Sequence, residues 1–279
     1  MTVRITILVD NKAERDLAGE HGFSAWVESD GHRMLFDTGQ GGALPGNASR
    51  LGVDLRTADR LVLSHGHYDH TGGLPFVLDL APHARIHLHP EATRTRYSVR
   101  NEVVRPIGMP PAANSVLEAW PQDRVQRASR PVPLEPGAGL TGEIPRRTGF
   151  EDTGGPFFLD PGGTEVDSIP DDQAAWFRSA RGLVVLMGCG HAGLINTLAE
   201  ALLQSGESRV HAVLGGFHLG QAGPERMART VQALREMEVD QVVPCHCTGD
   251  AATMALLQAM GPRILPGFAG MRLDFPDPK

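Results

Sequence analysis

The chemistry-bearing part of the chain is the run Ser64-His65-Gly66-His67-Tyr68-Asp69-His70-Thr71-Gly72-Gly73, which follows an apolar strand directly. Three imidazoles and one carboxylate within six residues put four metal-binding side chains on one tight turn. Neutral imidazole and carboxylate suit zinc, iron or manganese. Alternation along an extended stretch aims His65 and His67 the same way and turns Asp69 and His70 towards a neighbouring position. One short loop can thus serve two adjacent cations. Six residues cannot surround two cations, so further ligands must come from just past later strand ends. His191, His218 and His246 stand at such places. His21, His32, His83 and His211 fall in turns or strand bodies and read as ordinary surface or packing residues. His87 and His89 alternate on one strand and are weaker candidates.

The elements that must position these residues are short and mixed. Val3–Val9, Phe23–Glu28 and Arg33–Phe36 read as strands, the last two joined by Ser29-Asp30-Gly31-His32. The strand beginning at Arg60 leads into the histidine loop, a helix follows over Leu74–Leu80, and Ala84–Leu88 is again extended. Residues 91–180 carry many prolines and glycines with scattered arginines and read as a loop-rich insertion covering the site. Beyond Arg181 the pattern is strand, helix, strand, helix, strand: Leu183–Met187, Leu194–Leu203, Val210–Leu214, a helix opening at Pro224, and Gln241–Val243. A last helix spans Asp250–Met260, with Thr248 as its expected cap.

Composition narrows the classes. A chain of 279 residues is long enough for a sizeable core, and it is read as a single domain over 1–279. The net charge of −7 argues against a nucleic-acid partner. Lys12 and Lys279 are the only lysines, which leaves no lysine-bearing phosphate loop and no buried Schiff-base lysine. No apolar run approaches the ~20 residues that cross a bilayer, so no membrane partner is expected. Cys189, Cys245 and Cys247 form neither a CxxC pair nor an even disulfide framework, as expected of a reduced, cytoplasmic enzyme.

The segment HGHYDHTGGL resembles the signature of the metallo-β-lactamase superfamily. The segments EHGFSAWVES, LFDTGQ, NASRLGVDL, LVLSHGHYDHTGGL, TGEIPR, VVLMGCGHAGLINTL, VLGGFHL and VVPCHCTG resemble one branch of it. That branch is the family of 7,8-dihydropterin-6-methyl-4-(β-D-ribofuranosyl)aminobenzene 5′-phosphate synthase, many of whose members are described as metal-dependent hydrolases. The resemblance implies an α/β fold, the four-layered αββα sandwich, with a binuclear site along one edge. By the same resemblance, His65 and His67 serve the first cation, Asp69 and His70 the second, and His246 is the last histidine ligand. Asp37 in LFDTG orients the metal loop. The superfamily's usual third-motif histidine is absent, and its usual bridging aspartate is replaced by Met187-Gly188-Cys189. His191 is therefore the candidate for the missing imidazole, and Cys189 is either a ligand or a space-filling residue. His218 stands where some branches keep a histidine acting as general acid. Cys245 and Cys247 flank His246 and read as packing residues. Arg94, Arg96 and Arg100 form either a solvated face or a loop that folds over the metals and holds an anion.

These readings imply an enzyme with two divalent metal ions, zinc first and iron or manganese as alternatives. It would hydrolyse a small anionic metabolite (a phosphoester, lactone or thioester) through a metal-bound hydroxide, with Asp69 orienting the water and His218 assisting the leaving group. One alternative is a transferase that couples a dihydropterin diphosphate to an aminobenzene ribotide, the metals stabilising the departing diphosphate. Another is a non-catalytic metal or redox sensor. A small anionic molecule is the expected partner, and a homodimer is compatible with the sequence.

Overall fold

A computed structural model describes residues 2–276. Two sheets pack face to face. The first runs, in spatial order, Arg272–Pro276, Thr2–Val9, Ser24–Ser29, His32–Phe36, Arg60–Val62, Arg85–Leu88 and Val125–Arg127. The second runs Gln241–Cys245, Val210–Gly216, Gly182–Met187, Ala174–Ser179, Ala138–Leu140 and Val132–Pro133. Each begins antiparallel at one side and becomes parallel at the other. A strand's side chains alternate between faces, so a strand buried on both sides must be apolar throughout. Gly182–Met187 does this: Val184 and Leu186 point between the sheets, whereas Leu183, Val185 and Met187 point outward beneath helices. Helices Leu44–Leu51, Leu74–Leu80 and Pro111–Ala119 cover the first sheet, and Leu194–Ser205, Pro224–Glu236 and Asp250–Met260 cover the second. The result is the four-layered αββα sandwich.

The stretch 91–180 is built differently from the loop-rich insertion expected of it. It contains the helix Pro111–Ala119, the strand Val125–Arg127 of the first sheet, and the strands Val132–Pro133, Ala138–Leu140 and Ala174–Ser179 of the second. What stands over the site is a smaller piece, the hairpin Tyr97–Arg100/Val103–Pro106, joined by Phe157–Phe158 into a three-stranded sheet. Thr248 does not cap the last helix, whose capping residue is Gly249; the Thr248 hydroxyl instead accepts from the Phe217 N–H at 3.1 Å.

The parallel strands of both sheets end at one edge of the sandwich. The residues just after Arg60–Val62, Gly182–Met187, Val210–Gly216 and Gln241–Cys245 therefore meet there, at the carboxyl ends of strands where open α/β sheets bind ligands.

Candidate metal centre

The histidine loop is held from below. Gln173 donates from its backbone N–H to the Ser64 carbonyl and from its side chain to the Leu63 carbonyl, at 3.0 and 2.9 Å. The Gly66 N–H donates to Asp171 Oδ2 at 2.8 Å. Gly66 must lack a side chain, because a Cβ there would overlap the Ala92 carbonyl. His67 then opens a single helical turn, Tyr68–Thr71, that carries Asp69 and His70.

Each ring but one has its Nδ1 proton committed. His70 donates to Asp37 Oδ2 at 2.7 Å, His191 to the Thr153 carbonyl at 2.8 Å, and His246 to Asn11 Oδ1 at 2.9 Å. Ser64 Oγ donates to Asp37 Oδ2 at 2.6 Å and so accepts from His65 Nδ1 at 2.9 Å. Asp37 also accepts from the Ser64 N–H at 2.7 Å. With Nδ1 occupied, the lone pair falls on Nε2. The Nε2 atoms of His65, His67, His191 and His246 are buried with no hydrogen-bond partner among the described residues. A buried, unpaired nitrogen costs about 1–3 kcal/mol, and four in one cluster point to a missing common partner.

The structure brings His65, His67 and His191 together, with ring centroids 4.5–4.8 Å apart. Asp69, His70 and His246 gather beside them: Asp69 Oδ2 lies 3.3 Å from His246 Nε2 and 4.0 Å from His70 Nε2. Cys189 stands between the two groups, its Sγ 3.1 Å from His70 Nε2 and within 4.8 Å of donor atoms of His65, His191 and His246. This shape of donor set, imidazole with one carboxylate and one sulfur, fits zinc or iron.

Burial holds His65, His67 and His191 well below the usual imidazole range and pushes His246 down to about 4, so these rings are neutral near pH 7. His70 is opposite: burial pulls it down, but Asp37 and Asp69 outweigh this and raise it to about 9. Burial pushes Asp69 up, yet His70, His21 and His246 carry it well below the carboxylate range. Burial also pushes the Cys189 thiol well up.

His218 stacks against His191, with centroids 4.4 Å apart, and lines the cleft above the cluster. Burial pushes it down to about 3, so it is a neutral ring near pH 7. A neutral ring in this place can offer a hydrogen bond towards the cleft. Asp37, His218 and His246 all adopt left-handed backbone conformations, with φ of 59°, 44° and 45°. Such strain persists where surrounding structure enforces it.

Three site residues escaped the sequence. His21 Nε2 lies 3.2 Å from Asp69 Oδ2, and its ring centroid is 4.8 Å from that of His246. A signal was available in the adjacent Gly22, whose missing Cβ lets the chain abut the Asp69 carbonyl. Cys247 is not mere packing: it lines the cleft, with Sγ within 4.8 Å of donor atoms of Cys189 and His218. Arg105 also lines the cleft. Of the expected arginines, only Arg100 does. Arg94 pairs with Glu91, and Arg96 is fully buried against Asp167 and Asp171, where it anchors the carboxylate that holds Gly66. His89 accepts from the Glu91 N–H and caps a turn. The cleft itself has a volume of about 570 Å³.

The described residues contain no helix long and apolar enough to cross a membrane. Residues 18–197 match the family model of the metallo-β-lactamase superfamily. A curated protein of Methanocaldococcus jannaschii, 7,8-dihydropterin-6-methyl-4-(β-D-ribofuranosyl)-aminobenzene-5′-phosphate synthase, is 29% identical over 246 residues, covering 82% of this chain and 81% of that protein. An uncharacterized protein of the same organism is 31% identical over 256 residues, covering 91% of this chain and 94% of its own. A crystal structure of a metal-dependent hydrolase of the β-lactamase superfamily superposes with a TM-score of 0.84 at 33% identity, covering 99% of this chain and 100% of that one. With the sandwich, the strand-end cluster and these matches together, the chain belongs to the metallo-β-lactamase superfamily.

Proposed function

We propose that this chain is a metal-dependent hydrolase of small anionic metabolites, holding two divalent cations, zinc first. The observation that carries the reading is the set of four unpartnered, buried Nε2 atoms converging with Asp69 and Cys189 below the cleft. In this reading His65, His67 and His191 would hold one cation and Asp69, His70 and His246 the other, with the Cys189 sulfur available to either group. When bound, the cations would supply Lewis acidity, acidifying a water and stabilising negative charge on a departing oxygen.

The protein's own groups do the rest. Asp37 fixes His70 with its Nε2 towards the cluster and, through Ser64, fixes His65 in the same sense. Asp69 offers a carboxylate that is ionised at neutral pH and, beside His21, orients water or substrate. His218, a neutral ring facing the cleft, offers a hydrogen bond to the leaving group rather than a stored proton.

A second reading is favoured by the similarity to the named synthase: the same cluster would stabilise a departing diphosphate while an arene attacks a pterin methylene carbon. Metal-stripped protein reloaded with zinc, manganese or iron should recover hydrolysis of some member of a panel of phosphoesters, lactones and thioesters. Carbon–carbon coupling of a dihydropterin diphosphate to an aminobenzene ribotide, without hydrolysis of the panel, would select the second reading. Recovery of neither activity would refute both.

A further inference from the structure

The hairpin over the cleft pairs Ser98 with Arg105 and Arg100 with Val103. Directly opposed residues of an antiparallel pair share a face, and so do alternate residues of one strand. Ser98, Arg100, Val103 and Arg105 therefore project from one side of the ribbon, and all four line the cleft. Asn101 and Glu102, with φ of 47° and 65°, form the tight turn that sets this register.

The two arginines differ from their neighbours in having nothing to bind. Arg94 and Arg96 are paired with carboxylates, Arg146 donates to the His191 and Ser168 carbonyls, and Arg147 pairs with Glu200. Arg100 and Arg105, both exposed at the cleft, make no ion pair and no side-chain hydrogen bond among the described residues. In a chain of net charge −7, two exposed guanidinium groups on the same face of a cleft offer planar donors to an anion. The same cleft has an apolar lining: Phe157, whose ring lies 5.5 Å from that of His67 and 5.7 Å from that of His218, together with Ile107 and Val103.

We infer that Arg100 and Arg105 form a second anion subsite, so that the substrate is a small molecule with two anionic ends and an apolar middle. One end meets the metal cluster and the other, a phosphate or carboxylate, meets the hairpin. The inference rests on the metallohydrolase reading for the first end only.

The test is calorimetric binding to the zinc-loaded protein, with phenylphosphonate as the one-ended probe. Benzene para-diphosphonate and para-phosphonobenzoate are the two-ended probes, and they distinguish phosphate-like from carboxylate preference. Wild type should bind at least one two-ended probe about tenfold tighter than phenylphosphonate, or about 1.4 kcal/mol. R100Q/R105Q should abolish that ratio, the two-ended probe falling to the affinity that phenylphosphonate has in the same variant. Equal affinities in wild type, or a ratio that survives in the double variant, would overturn the subsite. Phenylphosphonate binding that is indifferent to zinc would instead overturn the metal reading, a separate failure visible with the one-ended probe alone.

Discussion

Replacing Asp37 with asparagine preserves the side-chain shape and a left-handed backbone that asparagine tolerates, but turns one acceptor into a donor. If the amide oxygen keeps the Ser64 N–H, the amide nitrogen takes the place of Oδ2 and confronts two donors, Ser64 Oγ and His70 Nδ1. His70 relieves the conflict by giving up its Nδ1 proton and keeping the one on Nε2, the nitrogen that faces Cys189, and so lacks the lone pair a cation needs. The gap between an ordinary imidazole and His70 at about 9 corresponds to about 3 kcal/mol. Because the folded value lies above the unfolded one, this stabilisation is complete below about pH 6.5 and is lost as pH rises through about 9. Asp69 contributes to the same elevation and remains in the variant, so the metal-free wild type should exceed Asp37→Asn in stability by an amount on the order of 1–3 kcal/mol near pH 6, with the difference shrinking towards pH 9.5. Urea unfolding of chelated protein at both pH values measures this. Cation affinity at pH 7, read by competition with a chromophoric chelator, should fall about 10–100-fold. A variant that keeps wild-type affinity, or a stability gap that does not change with pH, would refute the role given to Asp37.

Loading the protein with zinc at pH 7 should release about two protons, one from His70 and one from Cys189, and affinity should rise with pH; calorimetry in buffers of different ionisation enthalpy counts them, and no release would contradict the assignment. Cys189→Ser should erase the near-ultraviolet thiolate-to-cobalt band of cobalt-loaded protein and weaken both cations about tenfold or more; an unchanged spectrum would make Cys189 a spacer. His218→Ala should retain the metals by elemental analysis and lose about 100-fold in kcat, with the wild-type rate showing no step from this ring between about pH 5 and 8. Loss of a metal in that variant would make His218 a ligand. Gly66→Ala should cost about 2 kcal/mol or more, measured as a lowered Tm, since its Cβ meets the Ala92 carbonyl.

Much of this molecule was legible in residue order because periodicity survives wherever an element is long or apolar. Leu74–Leu80 and Asp250–Met260 lie where spacing put them, and the Gly182–Met187 and Val210–Gly216 strands differ from expectation only at their ends. Leu44–Leu51 was missed because Pro45 and Gly46 disguise its first turn. Ala174–Ser179 was missed because its proline-rich approach resembled more loop. At the site, residues following strand ends were readable, since parallel strands deliver their ends to one edge. His21 and Arg105 were not, because their place depends on how separate segments fold against that edge: one reaches Asp69 from before the second strand, the other from a hairpin whose face is set by register. Cys247 was misassigned by assuming extended alternation, whereas His246–Thr248 is a helical turn.

The donors at the cluster come from both sheets: positions 65, 67, 69 and 70 follow a strand of the first, and 189, 191 and 246 follow strands of the second. A cation shared among them is consequently a rivet through the seam of the sandwich, linking segments up to 181 residues apart in the chain. Tight occupancy adds RT ln(1 + [L]/Kd), about 2.7 kcal/mol at a hundredfold excess over Kd. If the proposed cations are held there, the durability of the fold would be coupled to the supply of metal around it.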